Sequence, residues 1–319
     1  MNNITQKIHE ISRFILNNFN ELRKIPSLTS KPLIVGINGP QGCGKTTLVE
    51  NVSKYLKDTN NLSVVSCSID DFYLTYKDQK KLSQKNLGNL LLEHRGEPGT
   101  HDIPLGTRTL KNLCITHENF YKKLELGINP SELNEVLIPV YDKSLNNGRG
   151  DRIEKENWIK VKPPFNIILF EGWLLGYKHL CKDQLELVYR KAQNSSSSSS
   201  SKLLSHPLSH LSIINENLKN YEKEWYPFLD LFIHIDTKDI NYVYQWRLEQ
   251  ERKISLGMTD EQVYDFVKRY MPAYELYLPR LRKENFFYEK NDFNNNQCHG
   301  RHLKIVLNKN RDLVDKTLM

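Results

Sequence analysis

Residues 39–46 read GPQGCGKT and follow the apolar run PLIVGIN at 32–38. The eight letters fit G-x-x-x-x-G-K-[ST], with Gly39, Gly44, Lys45 and Thr46 at the defining places. The flanks decide what the pattern means. Residues 32–38 have the short apolar composition of a buried parallel strand, and TTLVENVSKYLKD at 46–58 repeats apolar side chains at helical spacing through Leu48, Val52, Tyr55 and Leu56. Strand, glycine-rich turn and helix in that order make a phosphate cradle: glycines let backbone N–H groups curl around an anion, and the helix N-terminus adds its positive dipole end. Gly39, Pro40, Gln41, Gly42, Cys43, Gly44, Lys45, Thr46 and Thr47 are therefore expected to hold the phosphates of a nucleoside triphosphate. Lys45 would bridge the outer phosphates and the Thr46 hydroxyl would ligate Mg²⁺. Cys43 stands where any small residue would serve, which reads as packing and not as a redox switch.

The chain has 319 residues, 39% hydrophobic and 26% charged, enough for a large α/β domain with a full core. No apolar run reaches the length of a membrane span. The N-terminal MNNITQKIHE lacks the apolar core of a signal peptide, and Glu10 and Glu21 argue against a transit peptide. Five cysteines without paired spacing suggest reduced thiols and no metal knuckle. A cytoplasmic enzyme is the expectation, with nuclear presence also allowed. The net charge of +7 is dispersed, with no block of basic residues, so a basic cleft for anionic substrates is favoured over nucleic-acid binding. No membrane association and no obligate protein partner are expected.

Ile4, Ile8, Ile11, Ile15, Phe19 and Leu22 predict an amphipathic helix over 3–24, packed on the domain, with a linker reaching residue 30. Further strands are predicted at 63–69, 165–170, 229–235 and 303–307, separated by helical patterns as a parallel sheet requires. Residues 31–319 then form one nucleotide-binding α/β domain. The serine-rich stretch within 191–204 reads as a disordered insertion, and NDFNNNQ at 291–297 as a second low-complexity tract.

Three other segments carry chemistry. SIDDFYLT at 68–75 puts Asp70 and Asp71 at the carboxyl end of a strand, the edge where open parallel sheets bind ligands. A carboxylate there can take the proton of an attacking hydroxyl or hold Mg²⁺; the alternative is an Asp-rich strand end that caps the following turn. FNIILFEGWLLG at 165–176 places Glu171 after a buried apolar run, the Walker B arrangement for orienting Mg²⁺. RGEPGTHD at 95–102 and YDKSLNNGRGDR at 141–152 combine turn residues with ionisable side chains. They suit a small-anion pocket, the alternative being solvated loops. Arg95, Thr100, His101, Asp102, Tyr141, Lys143, Arg149 and Arg152 are the candidate acceptor-binding residues.

Taken with FVKRYMPAYELYLP at 266–279, this set of motifs resembles the D-glycerate 3-kinase family, and more closely its fungal ATP-dependent kinase-like members, relatives of uridine kinase, phosphoribulokinase and pantothenate kinase. The resemblance runs from about Leu33 to Leu281. It implies a P-loop NTPase fold, an α/β doubly wound parallel sheet with a helical lid and its flanking helices over about 241–285. It also implies transfer of the γ-phosphoryl of ATP to a hydroxyl of a small, anionic, D-glycerate-like acceptor. Asp70 then matches the catalytic aspartate, Asp71 joins Thr46 and Glu171 around the metal, and the helix expected at 241–254 supplies Arg247 or Arg252 to the transferred charge. A solvated helix face, with Glu249 and Glu251 as partners, is the other reading of those arginines. A nucleoside or other metabolite kinase of the uridine kinase type, and an ATP-binding regulatory protein without catalysis, remain the competing functions.

Overall fold

The computed structural model describes residues 3–25, 29–194, 201–252, 258–288 and 300–319. At its centre six strands run in the order β10-β9-β8-β1-β7-β2. These are β1 (Leu33–Asn38), β2 (Val64–Ser68), β7 (Ile167–Gly172), β8 (Leu231–Thr237), β9 (His302–Leu307) and β10 (Leu313–Leu318). All pairings are parallel except β9 with β10, which closes one edge as an antiparallel hairpin. Every residue of β1, β7 and β8 is buried, as expected of strands covered by helices on both faces. The predicted strands all exist, with ends shifted by up to about two residues. The antiparallel β10 was not anticipated; only Leu313, Val314 and Leu318 along it are apolar, and most of the strand is exposed.

Helices α1 (Asn3–Arg23) and α2 (Lys45–Asn60) pack together on one face, with Ile11 and Ile15 inside the core. The 3–24 helix is thus a layer of the domain. The chain then forms α3 (Tyr76–Lys85) and the long α4 (Ile103–Glu125), and two small antiparallel pairs follow. One joins β3 (Val136–Ile138) to β6 (Ile159–Val161). The other joins β4 (Tyr141–Asp142) to β5 (Asp151–Arg152). YDKSLNNGRGDR is therefore a hairpin and not an irregular loop. Asn146, Asn147, Gly148 and Gly150 take the left-handed conformations that turn it.

Beyond β7 come α5 (Lys182–Asn194) and α6 (Leu208–Glu224), and beyond β8 come α7 (Tyr242–Glu251), α8 (Asp260–Lys268) and α9 (Met271–Lys283). One expectation is corrected here. The insertion expected at 191–204 is ordered at both margins: Lys191–Asn194 complete α5, while the Ser201 hydroxyl and the Lys202 N–H both donate to Glu275. Residues 195–200, the centre of that tract, and the tract at 291–297 lie outside the described residues. Within the stretch expected as lid and flanking helices, 241–285, α9 is a flanking helix that buries Leu276, Tyr277 and Leu281 in the core, while α7 and α8 send Arg247, Gln250 and Phe266 to the cavity described below.

Candidate active site

The carboxyl ends of β1 and β7 meet at the point where the strand order reverses, and a cavity of about 530 Å³ opens there. Its floor is the glycine-rich turn after β1. Gly42 and Gly44 have φ of +77° and +85°. A side chain at Gly42 would also come within 2.6 Å of Trp246 Cβ in α7, so the lid helix seats directly on the turn. Pro40, Gln41, Gly42, Gly44, Lys45, Thr46 and Thr47 line the cavity. Gly39 packs on Cys43 and Ile235, and the Cys43 side chain faces the core, where burial pushes its thiol up to about 11. These two residues shape the turn without facing the cavity.

Lys45 Nζ donates to Glu171, and the Thr46 hydroxyl lies 3.4 Å from the other Glu171 oxygen. Burial is the largest influence and would lower the Lys45 ammonium, but the Glu171 and Asp70 carboxylates and Cys43 together outweigh it and raise the group above its usual value. A buried charge pair at a helix N-terminus, with the backbone of a glycine turn above it, is prepared for an anion that can take the lysine from the glutamate.

Asp70 and Asp71 sit in a single 3₁₀ turn, Ile69–Phe72, directly after β2, and they diverge. The Asp70 carboxylate reaches the cavity and accepts from Lys143 Nζ at 2.6 Å, across from the β4–β5 hairpin. Burial would raise this carboxyl, yet Lys143 and Lys45 together hold it well below the usual carboxylate range. Asp71 turns back instead. It accepts from the Ser68 N–H at 3.2 Å, while Ser68 Oγ accepts from the Asp70 N–H, a reciprocal capping box. Burial lifts the Asp71 carboxyl to about 6. Asp71, expected as a metal ligand, does not line the cavity: its carboxylate is engaged in capping the turn that aims Asp70.

The acceptor-side residues also divide. Arg95, Lys143 and Arg149 line the cavity. Arg95 donates to the Gly148 carbonyl at 2.9 Å and stacks over Tyr141, so the two polar segments hold each other. Thr100, His101, Asp102 and Arg152, expected to touch the acceptor, stand behind the wall, and Tyr141 braces it without lining the cavity. Thr100 Oγ1 accepts from the Gly96 N–H and donates to the Glu97 carbonyl, closing the 96–100 turn. His101 is buried, stacked on Tyr73 and bonded through Nδ1 to the Tyr221 hydroxyl at 2.6 Å. Burial pushes it down to about 3, so it is a neutral structural ring. Asp102 caps α4 through the Leu105 N–H and pairs with Arg152, which also donates to the Tyr73 carbonyl.

Of the two lid arginines only Arg247 enters the cavity. It pairs with Glu251 at 2.5 Å and lies over the Phe266 ring. Arg252 is five residues on, about 140° around the helix, and pairs on the outside with Asp260. The structure adds Glu97, Trp173, Arg269 and Tyr270 to the lining, none of which the sequence reading singled out. All four lie inside segments named above, Glu97 in RGEPGTHD, Trp173 in FNIILFEGWLLG, and Arg269 and Tyr270 in FVKRYMPAYELYLP, and those positions were the available signal.

A family profile described as "KAP family P-loop domain" matches residues 13–112. The chloroplastic D-glycerate 3-kinase of Arabidopsis thaliana is 40% identical over 79% of this chain and 49% of its own length. The chain thus spans about half of that plant relative. An uncharacterized kinase of Schizosaccharomyces pombe is 35% identical over 91% of this chain and 93% of its own length. Among solved structures, a D-glycerate 3-kinase from Cryptococcus neoformans superposes with a TM-score of 0.82 at 34% identity, covering 98% of this chain and 99% of the other.

Proposed function

Since the chain belongs to the family of P-loop kinases that contains these D-glycerate 3-kinases, we propose that it transfers the γ-phosphoryl of ATP to a hydroxyl of a small hydroxy acid of the D-glycerate kind. One observation carries the reading. The phosphate turn, a carboxylate and three basic side chains from two separate segments all open into one cavity.

The turn amides and Lys45 bind the outer phosphates, with Lys45 leaving Glu171 for them. The chain's fit to Mg²⁺ rests on the Thr46 hydroxyl and the Glu171 carboxylate standing side by side. Among the described residues no cluster of three His, Cys, Asp or Glu side chains could hold a metal by itself. That donor set suits Mg²⁺, which binds through few protein ligands together with phosphate oxygens and water. Bound there, Mg²⁺ supplies charge neutralisation on the transferring group. Asp70 orients the acceptor hydroxyl and takes its proton late, as suits a carboxylate held strongly ionised. Arg95, Lys143 and Arg149 receive the acceptor carboxylate, which a neutral nucleoside or sugar would leave them without. Arg247, swinging from Glu251, meets the transferred charge as α7 and α8 close.

The four described cysteines are free, and no described helix is long and apolar enough to cross a membrane. The reading keeps the enzyme in the cytoplasm, acting on small molecules. ADP release, screened over small hydroxy acids, nucleosides and sugars with Mg·ATP, tests it. Turnover with hydroxy acids is the expected result, and turnover confined to nucleosides would replace the acceptor.

A further inference from the structure

Glu97 is 3% exposed, yet it borders the same cavity, and neither carboxyl oxygen has a hydrogen-bond partner among the described residues. Leaving such a group unpaired costs a fold free energy, so its retention calls for a partner that arrives from outside. The turn that carries it is built to hold it there. Gly96 adopts φ +143°, and a side chain on it would run into the Tyr270 hydroxyl at 2.6 Å. Thr100 ties both ends of the turn, and Asn217 of α6 donates to the Pro98 carbonyl at 3.0 Å.

Across Tyr270, whose ring meets the Trp173 ring edge-on at 5.0 Å, stands a second orphan. Trp173 is 4% exposed and borders the cavity, and its Nε1–H has no partner among the described residues. Burial without a countercharge raises Glu97 well above the usual carboxylate range. A neutral carboxylic acid both donates and accepts, while an indole only donates. Together they match a neutral hydroxyl and would reject an anion. This sets them apart from Arg95, Lys143 and Arg149 in the same cavity.

We propose that Glu97, with the Trp173 N–H, binds a second, non-reacting hydroxyl of the acceptor and so selects dihydroxy over monohydroxy acids. The inference rests on the acceptor reading given above and adds to it the residues that decide specificity. A site built to bond a hydroxyl rejects an analogue without it strongly, because its buried polar groups are then left unmet.

The test compares D-glycerate with 3-hydroxypropionate, which keeps the carboxylate and a terminal hydroxyl but lacks the second one. The wild-type chain should prefer D-glycerate in kcat/KM by about a hundredfold or more. Glu97→Met, similar in size and apolar, should cut that preference below about tenfold by raising KM for D-glycerate, with 3-hydroxypropionate unchanged. It should melt no lower than wild type, and by up to about 2–4 °C higher, since an unpartnered carboxyl has been removed. Glu97→Gln, still able to donate and accept, should retain part of the preference. Equal losses on both acceptors, or a lower melting temperature in both variants, would make Glu97 a structural residue and overturn the inference. If the wild-type chain instead phosphorylates only nucleosides, the acid-acceptor reading falls. The Glu97 inference then stands or falls on whether Glu97→Met abolishes discrimination between uridine and 2′,3′-dideoxyuridine. A wild-type chain that turns over no hydroxylated small molecule overturns both.

Discussion

Two lysine–carboxylate pairs bring a lysine to the cavity, and they are built in opposite ways. Lys45–Glu171 is sealed, with side chains 14% and 7% exposed, on the last residues of a buried strand and the first residue of a helix. Lys143–Asp70 is open, with side chains 57% and 27% exposed, and its lysine rides on a hairpin. A sealed pair holds its geometry and resists screening; an open one is worth little in stability and is readily exchanged for a ligand. The backbone that carries the phosphate side is thus fixed in advance, so that only the Lys45 head need change partner, whereas the proposed acceptor side is free to rearrange.

Breaking the sealed pair should have the largest effect. Lys45→Ala is expected to lower turnover by about 10³-fold and to weaken ATP binding, because the outer phosphates lose their point charge. It also leaves Glu171 buried without its cation, a cost of up to about 3 kcal/mol readable by denaturant unfolding. Wild-type binding and turnover in this variant would remove the turn from the site.

Removing the carboxylate of the open pair comes next. Asp70→Asn should lose about a hundredfold in turnover with ATP affinity by calorimetry unchanged, since shape and phosphate contacts persist. Lys143→Ala should cost less, about tenfold in acceptor KM. Its pH profile sharpens the comparison. With Lys143 gone, the Asp70 carboxyl rises toward the ordinary range, so the acid limb of the activity profile should move to higher pH. An unmoved limb would mean that the pair does not set the protonation of Asp70.

The smallest effect should come from the neighbour. Asp71→Ala removes a cap, costing about 1 kcal/mol of stability, and leaves the Mg²⁺ requirement of turnover unchanged. A raised Mg²⁺ requirement would return Asp71 to the metal. Stability should also fall in acid. His101, His234 and His302 are buried and held down at about 3, and His117 at about 4, so the unfolded chain takes up protons that the folded one refuses. Their contribution is complete above about pH 6.5 and is lost as pH falls toward 3–4, on the order of 1–2 kcal/mol per histidine at pH 5. A melting temperature constant between pH 7 and 5 would contradict this.

The same contrast explains what the sequence disclosed. The phosphate turn is a contiguous backbone device whose glycine, lysine and threonine spacing is its function, so its residues could be read in order, as could the β7 run ending in Glu171. The acceptor wall is assembled from four separated segments, and side-chain direction there depends on packing that spacing does not encode. Asp70 and Asp71 look alike as letters; only the 3₁₀ turn after β2 sends one to the cavity and the other to Ser68. His101 reads as an acceptor-binding residue until Tyr73 and Tyr221 close around it. Glu97 reads as an ordinary turn residue because nothing in RGEPGTHD shows that α6 and Tyr270 will bury it. In the hairpin, two left-handed asparagines were visible as turn formers but not as the pivot that brings Lys143 to Asp70.

The central claim is that one cavity joins ATP to a small acid, and a single-turnover experiment reaches it most directly. Enzyme in excess over γ-³²P-labelled ATP, with Mg²⁺ and D-glycerate, should move the label onto glycerate with matching formation of ADP, and Asp70→Asn should bind the ATP but move the label about a hundredfold more slowly. Label released only as inorganic phosphate, or transferred equally well by Asp70→Asn, would contradict the account.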